Sequence, residues 1–360
     1  MARCTPSWRT ANRNTTECYW TPLQRRGGML KGFQMTGRKM YMVPLLFIAT
    51  VLAGMLSPMQ SAVNGQVGAE LGDGNASAVV SFGSGLVVMA IIILARSSTR
   101  RQFASIPAKI KANTIPWWSW LAGLCGAMVV FSEGASASVL GVATFQTTLI
   151  CGMVISGLVC DRFGIGVDVK QPFNLPRVLG AILAVVATIM VVSPNWQAPS
   201  VIGMAVLPFL AGLLAGWQPA GNSAVARETG SMLVSITWNF IVGFTVLTVV
   251  LLVRIALGQV SFHMPSQWWM YLGGPLGLLS IALMGLLVRG LGLLLLGLAS
   301  TAGQLIGSVL IDWLVPALGA QVYAITLIGT VVALVGAMIA AIPSAKAEQG
   351  PIETAESVQA

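Results

Sequence analysis

Ten runs of apolar residues follow one another along this chain. A spanning helix needs about 20 mainly apolar residues. On that measure the pattern predicts helices over approximately 42–66, 76–95, 117–135, 139–160, 177–193, 201–222, 232–256, 269–288, 291–312 and 321–342. Pro58 punctuates the first run, and Pro208 and Pro219 the sixth. The fifth run is short, and the eighth and ninth are separated by almost nothing. Trp117-Trp118 and Trp268-Trp269 stand at the starts of the third and eighth runs, as interfacial anchors do.

The polar interruptions repeat. The stretch from Gly54 to Glu70 carries Gln60, Asn64 and Glu70, and 158 residues later the stretch from Gly212 to Glu228 carries Gln218, Asn222 and Glu228. Over residues 54–96 and 212–254 there are 14 identities in 43 positions, including Gly72/Gly230, Phe82/Phe240, Gly85/Gly243 and Arg96/Arg254. The match resumes at an offset of 151, where Gly123 and Gly126 face Gly274 and Gly277, Leu140-Gly141 faces Leu291-Gly292, and Gly152 and Asp161 face Gly303 and Asp312. Each copy holds five spans. Five is odd, so the second copy enters the membrane upside down. Inverted repeats are the build of secondary transporters, with the binding site near the midplane where the copies meet. The expected division is a basic tail over 1–41, a five-helix repeat over 42–194, a second over 195–342, and a disordered tail over 343–360. The first tail reads either as a disordered cytoplasmic extension or as an over-long start, with Met29, Met35 or Met40 the true initiator.

Composition and charge narrow the class. Of 360 residues, 56% are hydrophobic and 9% charged, and the mean hydropathy is +0.81. A soluble domain has about a quarter charged residues. The net charge of +9 would suit nucleic acid, but its placement argues against that partner. With the N-terminus inside, 19 of the 20 Lys and Arg residues fall on the inner side and only Arg254 lies outside. This is the positive-inside bias, and it predicts N-in/C-in. The fold expected is therefore all-α and integral to the membrane: ten transmembrane helices as an inverted 5+5 repeat. One histidine, His263, and five cysteines without metal or disulfide spacing predict no metal and no cofactor. No nucleotide-binding glycine loop is present, so any coupling would be to an ion gradient.

Several motifs carry a family resemblance. These are Gly54, Gln60 and Asn64 on the first helix; Pro116-Trp117-Trp118 leading into Gly123-x-x-Gly126; Leu140-Gly141; and Gly303-Gln304-x-x-Gly307-Ser308-x-x-x-Asp312. Together they resemble the YdcZ-type (DUF606) branch of the drug/metabolite transporter superfamily over about residues 45–342, with two five-helix units fused. The resemblance implies a bacterial inner-membrane exporter of small metabolites or drugs, with helices five and ten peripheral. The copies have diverged: Met153 stands where Gln304 does, and Val315 where Gly164 does.

Candidate site residues are the polar groups at membrane depth. Gln60 and Asn64 share one helical face, as do Gln218 and Asn222, and the four are the expected meeting point of the two halves. Interhelical glue and cavity lining both remain open for them. Gln146 and Gln304 are further cavity candidates. Pro58 and Pro219 are expected to kink their helices differently, since their positions are not equivalent. Glu133 is the first candidate for coupling to H+, with an outer-loop carboxylate as the alternative. Glu70 is the second, against a solvated helix end beside the turn at Gly72-Asp73-Gly74. Asp161, with Arg162 as its neighbour, and Asp312 are expected to be structural, as is a surface pair of Arg227 with Glu228. The function expected is a secondary-active exporter, by alternating access, of a small-molecule substrate, as a monomer or homodimer. A non-transporting scaffold or sensor, or a membrane-embedded enzyme, is the alternative.

Overall fold

A computed structural model describes residues 42–165, 173–195, 199–315 and 323–340. The expected tails at 1–41 and 343–360 lie outside the described residues. The described residues are helical, without strand. Among them, nine helices are long and apolar enough to cross a membrane: α1 Pro44–Leu71, α2 Gly74–Ala95, α3 Trp117–Leu140, α4 Val142–Phe163, α5 Leu175–Val192, α6 Ile202–Thr229, α7 Met232–Ala256, α8 Trp268–Leu287 and α9 Leu295–Leu314. A shorter apolar helix, α10, covers Ala324–Ala340. Large apolar side chains such as Ile91, Leu94, Leu252 and Val331 point outward. Lipid tolerates such a surface, whereas in water it would form large exposed apolar patches.

The corners of the two copies are built alike. Gly72 and Gly230 end α1 and α6 at φ 64° and 73°, a left-handed cap that glycine enters without penalty. Asp73 then caps α2 by accepting from the Ala76 N–H at 2.8 Å. Its counterpart Ser231 caps α7 by accepting from the Val234 N–H at 3.4 Å. Trp117–Leu121 and Trp268–Leu272 both open their helices as a 3₁₀ turn. A single glycine joins α3 to α4, Gly141 at φ 81°, and Gly292, at φ 74°, is the non-helical residue between α8 and α9. Helix α3 thus runs to Leu140, beyond the expected end at 135, and Glu133 lies inside it.

The two copies interlock through contacts that come in exchanged pairs. Phe82 of α2 packs where a Cβ on Gly243 would sit, and Phe240 of α7 packs the same way on Gly85; the two rings lie 5.1 Å apart. Gly123 of α3 abuts the Asn239 backbone, and Gly274 of α8 abuts the Ser81 backbone. Gly126 lies against the Gln218 amide, and Gly277 against the Gln60 amide. Gly152 of α4 meets Phe209 and Gly212 of α6, while Gly303 of α9 meets Val51 and Gly54 of α1. Each contact maps onto its partner when the copies are exchanged, which is the mark of a two-fold relation between them. Small residues let these backbones approach closely without a hydrophobic drive between helices. Helices α5 and α10 pack on each other through Gly180, Gly329 and Gly336.

Candidate functional site

In the first copy the polar residues converge on Glu133. The sequence Ser57-x-x-x-Ser61-x-x-Asn64 puts three polar groups on one side of α1, one helical turn apart. The Ser61 hydroxyl donates to Glu133 Oε1 at 2.8 Å, and the Asn64 amide donates to Glu133 Oε2 at 2.6 Å. Gln146 of α4 donates to Ser61 Oγ at 2.9 Å and to Ser57 Oγ at 3.3 Å. Ser77 of α2 donates to the Asn64 carbonyl at 2.7 Å. Glu133 is 3% exposed and Gln146 fully buried. The carboxyl oxygens of Glu133 meet neutral donors, and no basic side chain is bonded to them among the described residues. The outer-loop alternative for Glu133 is therefore corrected: α3 continues two turns past it.

The local backbone explains the convergence. Glu133–Ala137 forms a π-helical turn, an insertion that widens a helix and is frequent at functional sites. Small residues follow it. A Cβ on Gly68 of α1 would fall 1.8 Å from the Gly134 carbonyl oxygen, and one on Gly134 would fall 2.6 Å from Ser77 Cβ. Three helices thus meet backbone to backbone around the carboxyl group.

This network can hold a proton without being rebuilt. The Ser61 hydroxyl has two acceptors, Glu133 Oε1 at 2.8 Å and the Ser57 carbonyl at 3.2 Å. It can donate to a carboxylate, or turn to Ser57 and accept from a carboxylic acid.

The second copy keeps the scaffold and loses the carboxyl group. Pro219 stands for Ser61, Met284 for Glu133 and Gly297 for Gln146. Asn222 survives, its carbonyl accepting from Ser235 as that of Asn64 does from Ser77. Its side chain now accepts from the Asn239 amide. Where α3 is sealed against α1 and α2, α8 stands off from α6 and α7. Gly134 is buried, while its counterpart Gly285 is exposed, and a Cβ added there would meet nothing within 4 Å. The space left is a cavity of about 400 Å³ lined by Gln218, Asn222, Asn239, Phe82, Phe240 and Gly285, among others. A larger groove of about 800 Å³ lies between α1, α2, α3 and α7, lined chiefly by apolar residues with Asp73 and Arg254 at its edge.

The remaining candidates are dispersed. Gln60 and Gln218 face α8 and α3 of the opposite copy, and Asn64 lies against Gly273 of α8, so the copies do meet there; the side-chain hydrogen bonds of Asn64 and Asn222 stay within their own copies. Gln304 donates to Ser300 one turn earlier at 3.2 Å. Glu70 accepts from the Ser266 N–H at 2.7 Å and from its hydroxyl at 3.2 Å, at the partly exposed end of α1. Pro58 follows a break between Gly54 and Leu56. Helix α6 passes Pro208 and Pro219 without interruption. Asp161 pairs with Arg177 at 2.8 Å; Arg162, the neighbour expected for it, lies over the Phe173 ring. Glu228 pairs with Lys109 at 3.3 Å. Asp312 reaches across to the start of α4. Sequence reasoning missed Ser61 and Asn239, which carry no signal beyond lying one turn from Asn64 and at the repeat position of Ser81.

Similarity to known proteins follows this anatomy. The family model described as "Putative inner membrane exporter, YdcZ" matches twice, over residues 45–190 and 203–339. No curated protein matches the chain. A solved structure titled "Crystal structure of protein" is 18% identical, covering 83% of this chain and 96% of its own, with a TM-score of 0.45. The double match falls on the two copies whose contacts exchange. The chain belongs to the YdcZ family: it is a multi-pass inner-membrane transport protein with two family units in one polypeptide.

Proposed function

We propose that the protein is a secondary-active exporter of a small molecule, working by alternating access between its two copies and coupled to H+ at Glu133. One observation carries the reading. The same contacts recur in exchanged pairs at the centre, yet Gly134 of α3 packs tightly against α1 and α2 while its counterpart Gly285 of α8 stands free of α6 and α7. Two copies of one structure in two conformations are what an inverted-repeat transporter holds in either of its end states.

The orientation is ten spans with both termini inside. Contacts between helix ends support the parity. Glu70, ending α1, meets Ser266 before α8. Asp73, starting α2, meets Arg254 at the end of α7 at 2.7 Å. Lys109, after α2, meets Glu228 at the end of α6. Strict alternation of spans puts the first two contacts outside and the third inside. The single basic residue left outside, Arg254, is thus the one neutralised by a buried aspartate. In this orientation the sealed side faces out, and the cavity at Gln218, Asn222 and Asn239 opens inward, where an exporter collects cargo.

Coupling follows from the network. Glu133 accepts a proton when the α3 side opens and hands it on as the copies exchange roles. The test is counterflow in proteoliposomes with a panel of amines, amino acids and nucleobases, with and without a pH gradient. Accelerated exchange of at least one cargo, driven by an imposed gradient, is expected. Transport indifferent to the gradient would remove H+ from the account, and no transport of any cargo would remove the exporter.

A further inference from the structure

The repeat also duplicates a carboxylate at the far end of each copy's fourth helix, and the two carboxylates are differently engaged. Asp312, at the end of α9, is 5% exposed. Its two oxygens accept from the Val142 and Ala143 N–H groups, each at 2.8 Å. These are the first amides of α4 after the glycine break at Gly141. The first four N–H groups of a helix have no partner within it, and an anion is favoured there by the helix dipole as well. Asp161 is the counterpart of Asp312, 151 residues earlier, at the end of α4. The amides equivalent to those of Val142 and Ala143 belong to residues 293 and 294, which follow the matching break at Gly292. Asp161 is bonded instead to Arg177, at 2.8 Å, with both side chains partly exposed. Beside that pair is a cavity of about 310 Å³ that also touches Gly157, Gly297 and Thr301. Gly141 is buried and Gly292 exposed.

We propose that Asp161 and Asp312 are alternating latches. In this conformation Asp312 clasps the start of α4 and holds the outer end shut, while Arg177 keeps Asp161 away from α9. In the opposite conformation Asp312 lets go of Val142 and Ala143. Asp161 then leaves Arg177 and accepts from the amides of residues 293 and 294, closing the inner end. The fold supplies a carboxylate and a glycine break at both ends, and shows Asp312 engaged with a helix start while Asp161 is held by Arg177. This deepens the alternating-access reading and rests on it.

Electron–electron distance measurements on the full chain in lipid nanodiscs test the latch without any cargo. On a background lacking the native cysteines, one spin-label pair at Val139 and Trp313 reports the outer end, and a second at Phe163 and Leu295 the inner end. Removing a helix cap costs enough to move a two-state ratio about 2- to 30-fold. Asp312→Ala is expected to lengthen the outer distance and shorten the inner one by that factor in population, and Arg177→Gln to shift the ratio the same way. Asp161→Ala is expected to do the reverse. Asp312→Asn, which keeps one acceptor for the two N–H groups, is expected to shift the ratio as Asp312→Ala does but by less, and Asp161→Asn, which loses its charge to Arg177 but keeps an acceptor, to shift it as Arg177→Gln does. If Asp312→Ala does not fold, the opposed shifts of Asp161→Ala and Arg177→Gln carry the test. Shifts in the same direction for Asp161→Ala and Asp312→Ala, or none, overturn the latch while leaving two populated states. A single distance at both ends in every variant overturns alternating access itself.

Discussion

Glu133 gathers the buried hydrogen bonds of two α1 side chains in one carboxyl group. Its bonds to Ser61 and Asn64 come from neutral donors in a buried place, where an orphaned donor is costly. Glu133→Leu is expected to destabilise the protein by about 1–3 kcal/mol for each buried donor left without an acceptor, read as a lower thermal midpoint in detergent. Glu133→Gln is expected to fold nearly as well as the parent, because the Ser61 hydroxyl can turn to the Ser57 carbonyl and accept from the new amide. In proteoliposomes the Gln variant should retain counterflow yet lose its response to a pH gradient; an unchanged response would move the coupling elsewhere. The sequence displayed Glu133 as an ionisable residue among small ones, but its partners were not legible. Ser61 reaches it, and Gln146 reaches Ser61, from helices whose mutual approach is set by packing, and a serine in an apolar run looks like any other small residue.

At the scale of the element, the informative pair is α3 and α8. Both begin with a tryptophan-rich 3₁₀ turn and both end at a positive-φ glycine, yet one is clamped and the other stands free. Gly134→Ala is expected to be strongly destabilising, since its Cβ would lie 2.6 Å from Ser77 Cβ and 2.9 Å from the Gly74 carbonyl. Gly285→Ala meets open space and is expected to leave the thermal midpoint unchanged. It should nevertheless slow transport, because α8 must close as α3 does now. Equal loss of stability in the two variants, or full activity for Gly285→Ala, would break the proposed equivalence. Most helices were legible as apolar runs, because a span is set by bilayer thickness more than by sequence detail. The end of α3 was not. Gly134, Ser136 and Ser138 lower the local hydropathy, although here they serve close packing inside the membrane and the π-helical turn.

At the scale of the whole molecule, the repeat was legible as identities at offsets of 158 and 151, and the exchanged contacts give those identities a physical meaning. Phe82 on Gly243 and Phe240 on Gly85 are one interaction made twice. What the sequence did not reveal is which end is closed, because conformation is a property of how the copies differ at one moment and both conformations use the same residues. The most direct test follows single cysteines at Ser223, which lines the open cavity, and at Ser61, which is sealed. Each is exposed to a membrane-impermeant maleimide from one face of the membrane at a time, on a background lacking the native cysteines. Ser223→Cys is predicted to react from the face of the basic loops alone and Ser61→Cys from the opposite face alone, with transported cargo moving the two rates in opposite directions. Labelling of either site from both faces, or two rates that rise and fall together, would contradict alternating access between the repeats.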